Sequence, residues 1–433
     1  MIATEVKIWD ERVGVLAWNE RQLHSLFQWD EKWLTKGIEL APILNPNRDI
    51  DPRQTYSFFQ ERADYEAFKG LPPFIADSLP DSFGNKVINA WLQQQHRDPD
   101  SFTPLERLCY TGKRGIGALE FFPTLFKNDK VVEVDVAALV KLADAIFSER
   151  KKMHSHIKDK KVIEDIVRVG ASAGGARPKA LIAYNETTGE IKSGQIAEIP
   201  TGFEHWLIKL DGVSKSGGLG LATGMGRVEY AYYLMAVDCG IIMSQCRLLE
   251  EGGRAHFMTR RFDRPGNGKK IHAQTLHAMA HLNYNLIDTN YYEQAFYAIN
   301  RLKLPFPTIE QFYRRMVFNV MAKNCDDHTK NVSFLMDEVG KWSLAPAYDL
   351  SYAYDPTGRW NRRHLMGLNG KFEDFTIDDL EKLGREQRIK KWKQIVEQTS
   401  EVVSRWSEYA KIVGVPPKIY KPIAKTHEIL IIR

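Results

Sequence analysis

The feature that most constrains this chain is a short polar run, DDHTKN at positions 326–331, set between an amphipathic stretch and two short apolar runs. Upstream, Ile309, Phe312, Tyr313, Met316, Val317 and Val320 repeat at helical spacing, and Thr308 with Gln311 forms a capping-box pattern, which predicts a helix over 308–320. Downstream, residues 332–336 and 341–345 read as strands around the turn formed by Asp337, Glu338, Val339 and Gly340. If 336 faces 341, the antiparallel register sets 331 opposite 346, close to Asp349. A helix therefore delivers a polar loop, and a hairpin returns a carboxylate to it.

Asp326 and Asn331 have the D-x-x-x-x-N spacing of a phosphoryl-transfer loop. One carboxylate can orient an acceptor hydroxyl and take its proton, while an amide oxygen and a second carboxylate, here Asp349, hold magnesium on the phosphates. The alternative is an exposed turn, since Asp and Asn are common there. The hairpin that brings Asp349 back favours the site. His328, between Asp326 and Asn331, is expected to support the loop or contact phosphate. Asp327 and Lys330 are expected to face solvent, with Lys330 able to reach a phosphate.

Three further segments fit a nucleotide. Residues 169–179, VGASAGGARPK, lead into an apolar strand; small residues let backbone N–H groups approach an anion, and Ser172 and Lys179 add side-chain contacts. Taken alone, such a loop is equally a flexible surface element. Lys209 interrupts the apolar strand 205–210, where an ammonium needs compensation by phosphate or by a carboxylate such as Glu229 on the next helix. The other reading is a strand-end lysine reaching water. Residues 256–263, HFMTRRFD, follow an apparent hairpin and suit a hinge whose backbone meets adenine; Phe262 is equally a core residue, and Asp263 between Arg261 and Arg264 reads as a structural ion pair.

The remaining sequence bounds these readings. Runs around Val6/Ile8 and Val13/Val15 predict half-buried strands, and 83–95 a helix with Val87, Ile88, Trp91 and Leu92 on one face. The charged run 149–161 is a plausible boundary; His154 and His156 within it lack neighbouring metal ligands. The expected units are 1–150, an N-terminal subdomain; 151–263, a β-rich nucleotide-binding part; and 264–433, a helical catalytic part. No apolar run approaches the roughly 20 residues that span a bilayer, and acidic residues interrupt the N-terminus where a signal peptide would be apolar, so a cytoplasmic chain without membrane contact is expected. Four cysteines without metal-module spacing read as reduced, buried thiols. A net charge of +5 is too small for an autonomous nucleic-acid binder, and Lys390, Lys391 and Lys393 read as a solvated helix face in preference to a DNA grip.

GASAGGARPK (170–179), RRFDR (260–264), and DDHTKN with the later AYDLS (347–351) together resemble the HipA family of bacterial serine/threonine kinase toxins. GLPPFIADSLPDSFGN and GKRGIGAL extend the likeness to the N-terminal part. The resemblance implies an α+β, two-lobed, protein-kinase-like (PI3/4-kinase-like) fold that uses ATP and Mg2+. It implies a HipB-like helix-turn-helix antitoxin as partner, operator DNA reached mainly through that complex, and an aminoacyl-tRNA synthetase, the glutamyl enzyme foremost, as substrate, with growth arrest and persistence as outcome. By position it makes Asp326 the catalytic aspartate and Asn331 and Asp349 the metal ligands. Gly174, Gly175, Ala176, Arg177, Pro178, Lys179 and Lys209 would contact phosphates, and Arg260, Arg261 and Phe262 would form the adenine hinge. His328, Lys330 and Tyr348 would complete the ATP site, Glu229 would pair with Lys209, and Ser172 would be an inactivating autophosphorylation site. The sequence departs from the family pattern at Arg260, which stands in place of an acidic residue, and in the ARPK end of the loop.

Overall fold

The computed structural model describes residues 3–58, 60–125, 131–147, 177–195, 198–213 and 223–432. The charged run 149–161 and the loop residues Ser172, Gly174, Gly175 and Ala176 lie outside them. The chain divides into two compact units: Met1–Val213 with Thr259–Gln274 and Leu335–Trp342, and Ser214–Met258 with Thr275–Phe334 and Ser343–Arg433.

In the first unit, β1 (Ala3–Ile8), β2 (Glu11–Asn19), β3 (His24–Trp29), β4 (Tyr56–Ser57) and β5 (Leu119–Phe122) form an antiparallel sheet in the order β4-β3-β2-β1-β5. Val6 and Ile8 are buried as alternation predicts, but Val15 is exposed although Val13 is buried. A bulge explains this: Val6 pairs with Gly14 and Lys7 with Arg12, so Val13 is an extra residue, after which Leu16 and Trp18 take the inner face. The helix Ser82–Gln94 begins where Asp81 accepts from the Gly84 amide, and it buries Val87, Ile88 and Leu92. Beyond it, β6 (Lys179–Tyr184) lies between β7 (Ile191–Ser193) and β8 (Glu204–Lys209); β6 is buried along its whole length.

The second unit is mainly helical, with Met225–Asp238, Tyr292–Arg301, Phe306–Met321, Ile377–Glu386 and Trp392–Ser404 its longer helices. The helix Phe306–Met321 buries Phe312, Tyr313, Met316, Val317 and Val320, each worth about 1.5–3 kcal/mol in transfer terms. It starts two residues earlier than the capping-box pattern suggests, because Pro305 holds an extended entry and Pro307 sits in the first turn, where its missing N–H costs nothing. Gln311 is then released from capping: it accepts from the Ile242 amide and donates to Gly240 O, holding the turn after Met225–Asp238.

The hairpin follows as strands Ser333–Met336 and Trp342–Leu344, with the expected register shifted by one residue. The Ala345 amide donates to Ser333 O and the Asp337 amide to Lys341 O, so 331 projects opposite 347, not 346. Asp337 Oδ1 accepts the Val339 and Lys341 amides, which places the turn one residue away from the assumed position. All four cysteines are free and buried, and among the described residues no helix is long and apolar enough to cross a membrane.

Candidate active site

The helix Phe306–Met321 ends at Ala322, and the chain runs without regular secondary structure from 324 to 328 before a single 3-10 turn, Thr329–Asn331. The two adjacent aspartates receive opposite environments. Asp326 is exposed, its side chain 55% accessible, while Asp327 is buried. Asn331 donates from Nδ2 to Asp326 O at 2.7 Å, and its own amide donates to His328 O at 2.8 Å. The loop thus closes on itself, with Asn331 Oδ1 as the amide's remaining acceptor. His328 Nε2 lies 3.9 Å from Asp326 Oδ1, and Lys330 Nζ sits over the Tyr284 ring at 4.5 Å.

The expectation that Asp327 faces solvent is wrong. Its Oδ2 accepts from Tyr292 Oη at 2.6 Å and from His364 Nδ1 at 2.7 Å; its Oδ1 accepts from the Leu365 amide at 2.7 Å and the Met366 amide at 3.3 Å. Burial alone would push this carboxyl up, but the His364 imidazolium and the other donors overcome it and hold the pKa below the usual carboxylate range. Burial likewise opposes a charged His364; the Cys325 sulfur and the Asp327 carboxylate override it and raise the imidazole to about 10. Burial and the neighbouring carboxylate push the Tyr292 phenol well up, so it remains a donor.

Asp349 has a left-handed backbone, φ 54°, uncommon for a residue with a side chain. Asn324 Nδ2 donates to its carbonyl at 3.3 Å and to Asn319 Oδ1 at 2.9 Å, and Asn319 Nδ2 in turn donates to Tyr292 Oη at 3.1 Å. Tyr348 donates to Lys330 O at 2.7 Å and meets the Ser333 hydroxyl, so its side chain braces the loop. The loop's leading flank is covered by the chain's last segment. The Glu428 amide donates to Met321 O at 2.9 Å, Lys323 pairs with Glu428, and His427 Nε2 meets Tyr232 Oη at 2.9 Å, whose hydroxyl donates to Ala322 O.

In the first unit, Lys179 and Lys209 are direct cross-strand partners on β6 and β8. Like charges facing each other across a ladder repel. Lys179 is buried and lies 3.7 Å from Asp81 at the start of the helix Ser82–Gln94, an internal partner that sequence reasoning missed. Pro178 O accepts the Leu210 amide, fixing the end of the loop beside β8. At the expected hinge, Arg260 pairs with Glu204 at 2.7 Å, and the Arg261 amide donates to His205 O. The Arg261 guanidinium is buried, with Nε and Nη2 on Asp263 at 2.9 and 2.7 Å; Arg264 Nη1 and the Gly117 amide also reach Asp263, each at 2.8 Å. The ion-pair reading of Asp263 is therefore borne out, and the Arg261 side chain belongs to that pair. Gly117, at φ 79°, allows the close approach: a Cβ there would stand 2.8 Å from the Ala273 nitrogen. Glu229 is buried on Met225–Asp238, in the second unit.

This α+β fold is that of HipA. The solved complex of Shewanella oneidensis MR-1 toxin-antitoxin HipA with HipB and operator DNA is similar to 98% of this chain over 94% of its own, with a TM-score of 0.62 at 15% identity, a likeness in fold alone. The Helicobacter pylori proinflammatory kinase CtkA aligns over 58% of this chain and 92% of its own at 15% identity, with a TM-score of 0.33. No curated protein matches the sequence. The HipA-like C-terminal domain matches residues 171–406 and the HipA N-terminal domain residues 4–122, so the chain belongs to the HipA family.

Proposed function

We propose that this chain is an ATP- and magnesium-dependent serine/threonine protein kinase, the toxin of a HipBA-like toxin-antitoxin pair. The observation that carries the reading is the construction of 326–331: an exposed Asp326, an Asn331 amide whose nitrogen is tied back to Asp326 O, and a buried Asp327 beneath them. Asp326 orients the acceptor hydroxyl and receives its proton. Asn331 and Asp349 supply oxygen donors of the kind magnesium takes. Among the described residues no group of three or more His, Cys, Asp or Glu forms a self-sufficient cage, and magnesium needs none, since one or two carboxylates and substrate phosphates usually hold it. The ion, when bound, offsets charge on the transferring phosphoryl group.

The opposed Lys179 and Lys209 favour an anion between or beside them, which supports a phosphate-binding role for both, with Arg177, Pro178 and the loop residues Gly174, Gly175 and Ala176. Lys330 adds a cation and His328 steadies Asp326. Arg260, Arg261 and Phe262 line the adenine through backbone atoms, and Tyr348 braces the loop that bears Asn331. Autophosphorylation of Ser172 switches the enzyme off. The acceptor is an aminoacyl-tRNA synthetase, the glutamyl enzyme foremost, in the cytoplasm; a HipB-like antitoxin neutralises the kinase and carries it to operator DNA. Both latter roles rest on family membership.

Phosphosite mass spectrometry on lysate incubated with ATP and either the wild-type chain or Asp326→Ala tests this. Asp326-dependent phosphate on a synthetase and on Ser172 is the expected result. Labelling of small molecules alone would make the chain a phosphotransferase, and growth inhibition undiminished by Asp326→Ala would make it a non-catalytic co-repressor.

A further inference from the structure

Asp327 accepts four hydrogen bonds within the loop, yet phosphoryl transfer as described gives it no task. Four donors converge on it from separate places: Tyr292 from the helix Tyr292–Arg301, and His364, Leu365 and Met366 from a segment nearly forty residues downstream. A carboxylate gripped on both oxygens cannot turn without breaking two of those bonds. Because Asp326 is its immediate neighbour in the chain, fixing Asp327 restricts the direction in which Asp326 leaves the backbone. The same Tyr292 hydroxyl accepts from Asn319, and Asn319 accepts from Asn324, which holds the carbonyl of the left-handed Asp349. One continuous hydrogen-bonded chain, buried as far as Asn324, therefore joins the segment bearing the base to the segment bearing the metal carboxylate.

We propose that Asp327 and His364 are positioning residues for phosphoryl transfer: the buried pair aims Asp326, and the Tyr292–Asn319–Asn324 chain extends the same constraint to Asp349. The proposal rests on Asp326 and Asp349 having the roles assigned above. Retention of charge on both members supports it, since the Asp327 carboxyl is lowered and the His364 imidazole raised. The chain also explains how Asp349 keeps an unfavourable backbone conformation: Asn324 holds it there.

The test compares wild type with Asp327→Asn, His364→Gln, His364→Leu and Tyr292→Phe in full-length protein, following initial rates of phosphoryl transfer from ATP to lysate protein. Three quantities are read: kcat, KM for ATP, and the Mg2+ concentration giving half-maximal rate. Asp327→Asn should lower kcat about 10- to 100-fold with KM for ATP within about twofold, the size expected when a reacting group is misplaced by about 1 Å. Tyr292→Phe deletes one oxygen in mid-chain and should raise half-saturating Mg2+ about three- to tenfold. His364→Gln retains a donor and should keep several times the activity of His364→Leu. A residue that merely supports the fold would lower rates in step with the folded fraction measured by circular dichroism and leave the Mg2+ half-point unmoved, and that result would overturn the proposal. Should Asp327→Asn fail to fold, Tyr292→Phe decides alone. A wild-type chain that transfers no phosphate overturns the kinase reading and this proposal together; an active wild type with an unmoved Mg2+ half-point overturns this proposal only.

Discussion

Asp263 and Asp327 are both fully buried aspartates held below the usual carboxylate range, yet they are built from different materials. Asp263 lies between two guanidiniums, Arg261 and Arg264, which in turn hold the carbonyls of Gly115 and Gly117. Asp327 has one titratable cation, a phenol and two amides. The first arrangement ties distant segments of one unit with charges that do not change near neutral pH. The second trades that permanence for direction, because each donor approaches along a defined line. A buried carboxylate can thus serve as a rivet or as an aiming device, and the partners decide which.

Four experiments would break or sharpen that contrast. The largest effect belongs to neither buried residue: Asp326→Ala should cost at least about 10³-fold in transfer rate. Its unfolding midpoint in urea should hardly move, since the side chain is mostly exposed; a large shift would mean that Asp326 is a third structural carboxylate. Asp263→Asn should come next, with a loss of about 3–5 kcal/mol in urea unfolding, because two buried guanidiniums would face each other uncompensated. A loss no greater than that of Asp327→Asn would erase the distinction between them.

The third effect is pH-dependent. His364 has its pKa raised from 6.5 to about 10, so its stabilising contribution is complete below pH 6.5 and is lost as pH rises toward 10. Asp327 has its pKa lowered from 3.8, so its contribution is complete above that value and is lost as pH falls below it. Between pH 6.5 and 8 the His364 contribution should fall by about 1–2 kcal/mol, read as the difference in slope between wild type and His364→Gln, because His272, His277, His427 and Lys270, whose pKa values burial lowers, act in the opposite sense in both proteins. Asp263→Asn should leave that difference intact, because His364 is not among the partners of Asp263. The smallest effect should come from Tyr348→Phe, about 1 kcal/mol from the lost bond to Lys330 O, read from thermal unfolding. If Tyr348→Phe instead raises KM for ATP at unchanged stability, its hydroxyl belongs to the nucleotide site.

Much of this is legible in the sequence. The spacing of Asp326 and Asn331, the helix feeding them and the hairpin behind them are local patterns, and the structure contains each with shifts of one or two residues. The role of Asp327 was not legible, because its environment is set by His364 and Tyr292, one 37 residues after it and one 35 residues before, from segments whose approach no periodicity encodes. Two adjacent aspartates look alike in sequence; only the backbone between them decides which is buried. The ion-pair partner of Lys179 was missed for a related reason, since Asp81 lies at the start of a helix far upstream. Val15 failed because one extra residue in a strand reverses every face after it.

The segment that covers the leading flank of the loop sets a schedule for the cell. Glu428 and His427 reach Met321, Lys323 and Tyr232 from almost a hundred residues beyond Asn331. At about 5–20 residues per second, a ribosome that has translated Asn331 needs roughly 5–20 s more to supply them. A nascent chain therefore carries its whole DDHTKN motif for that interval without Glu428 and His427 to brace it, so the loop reaches its described form only after that later segment has been made.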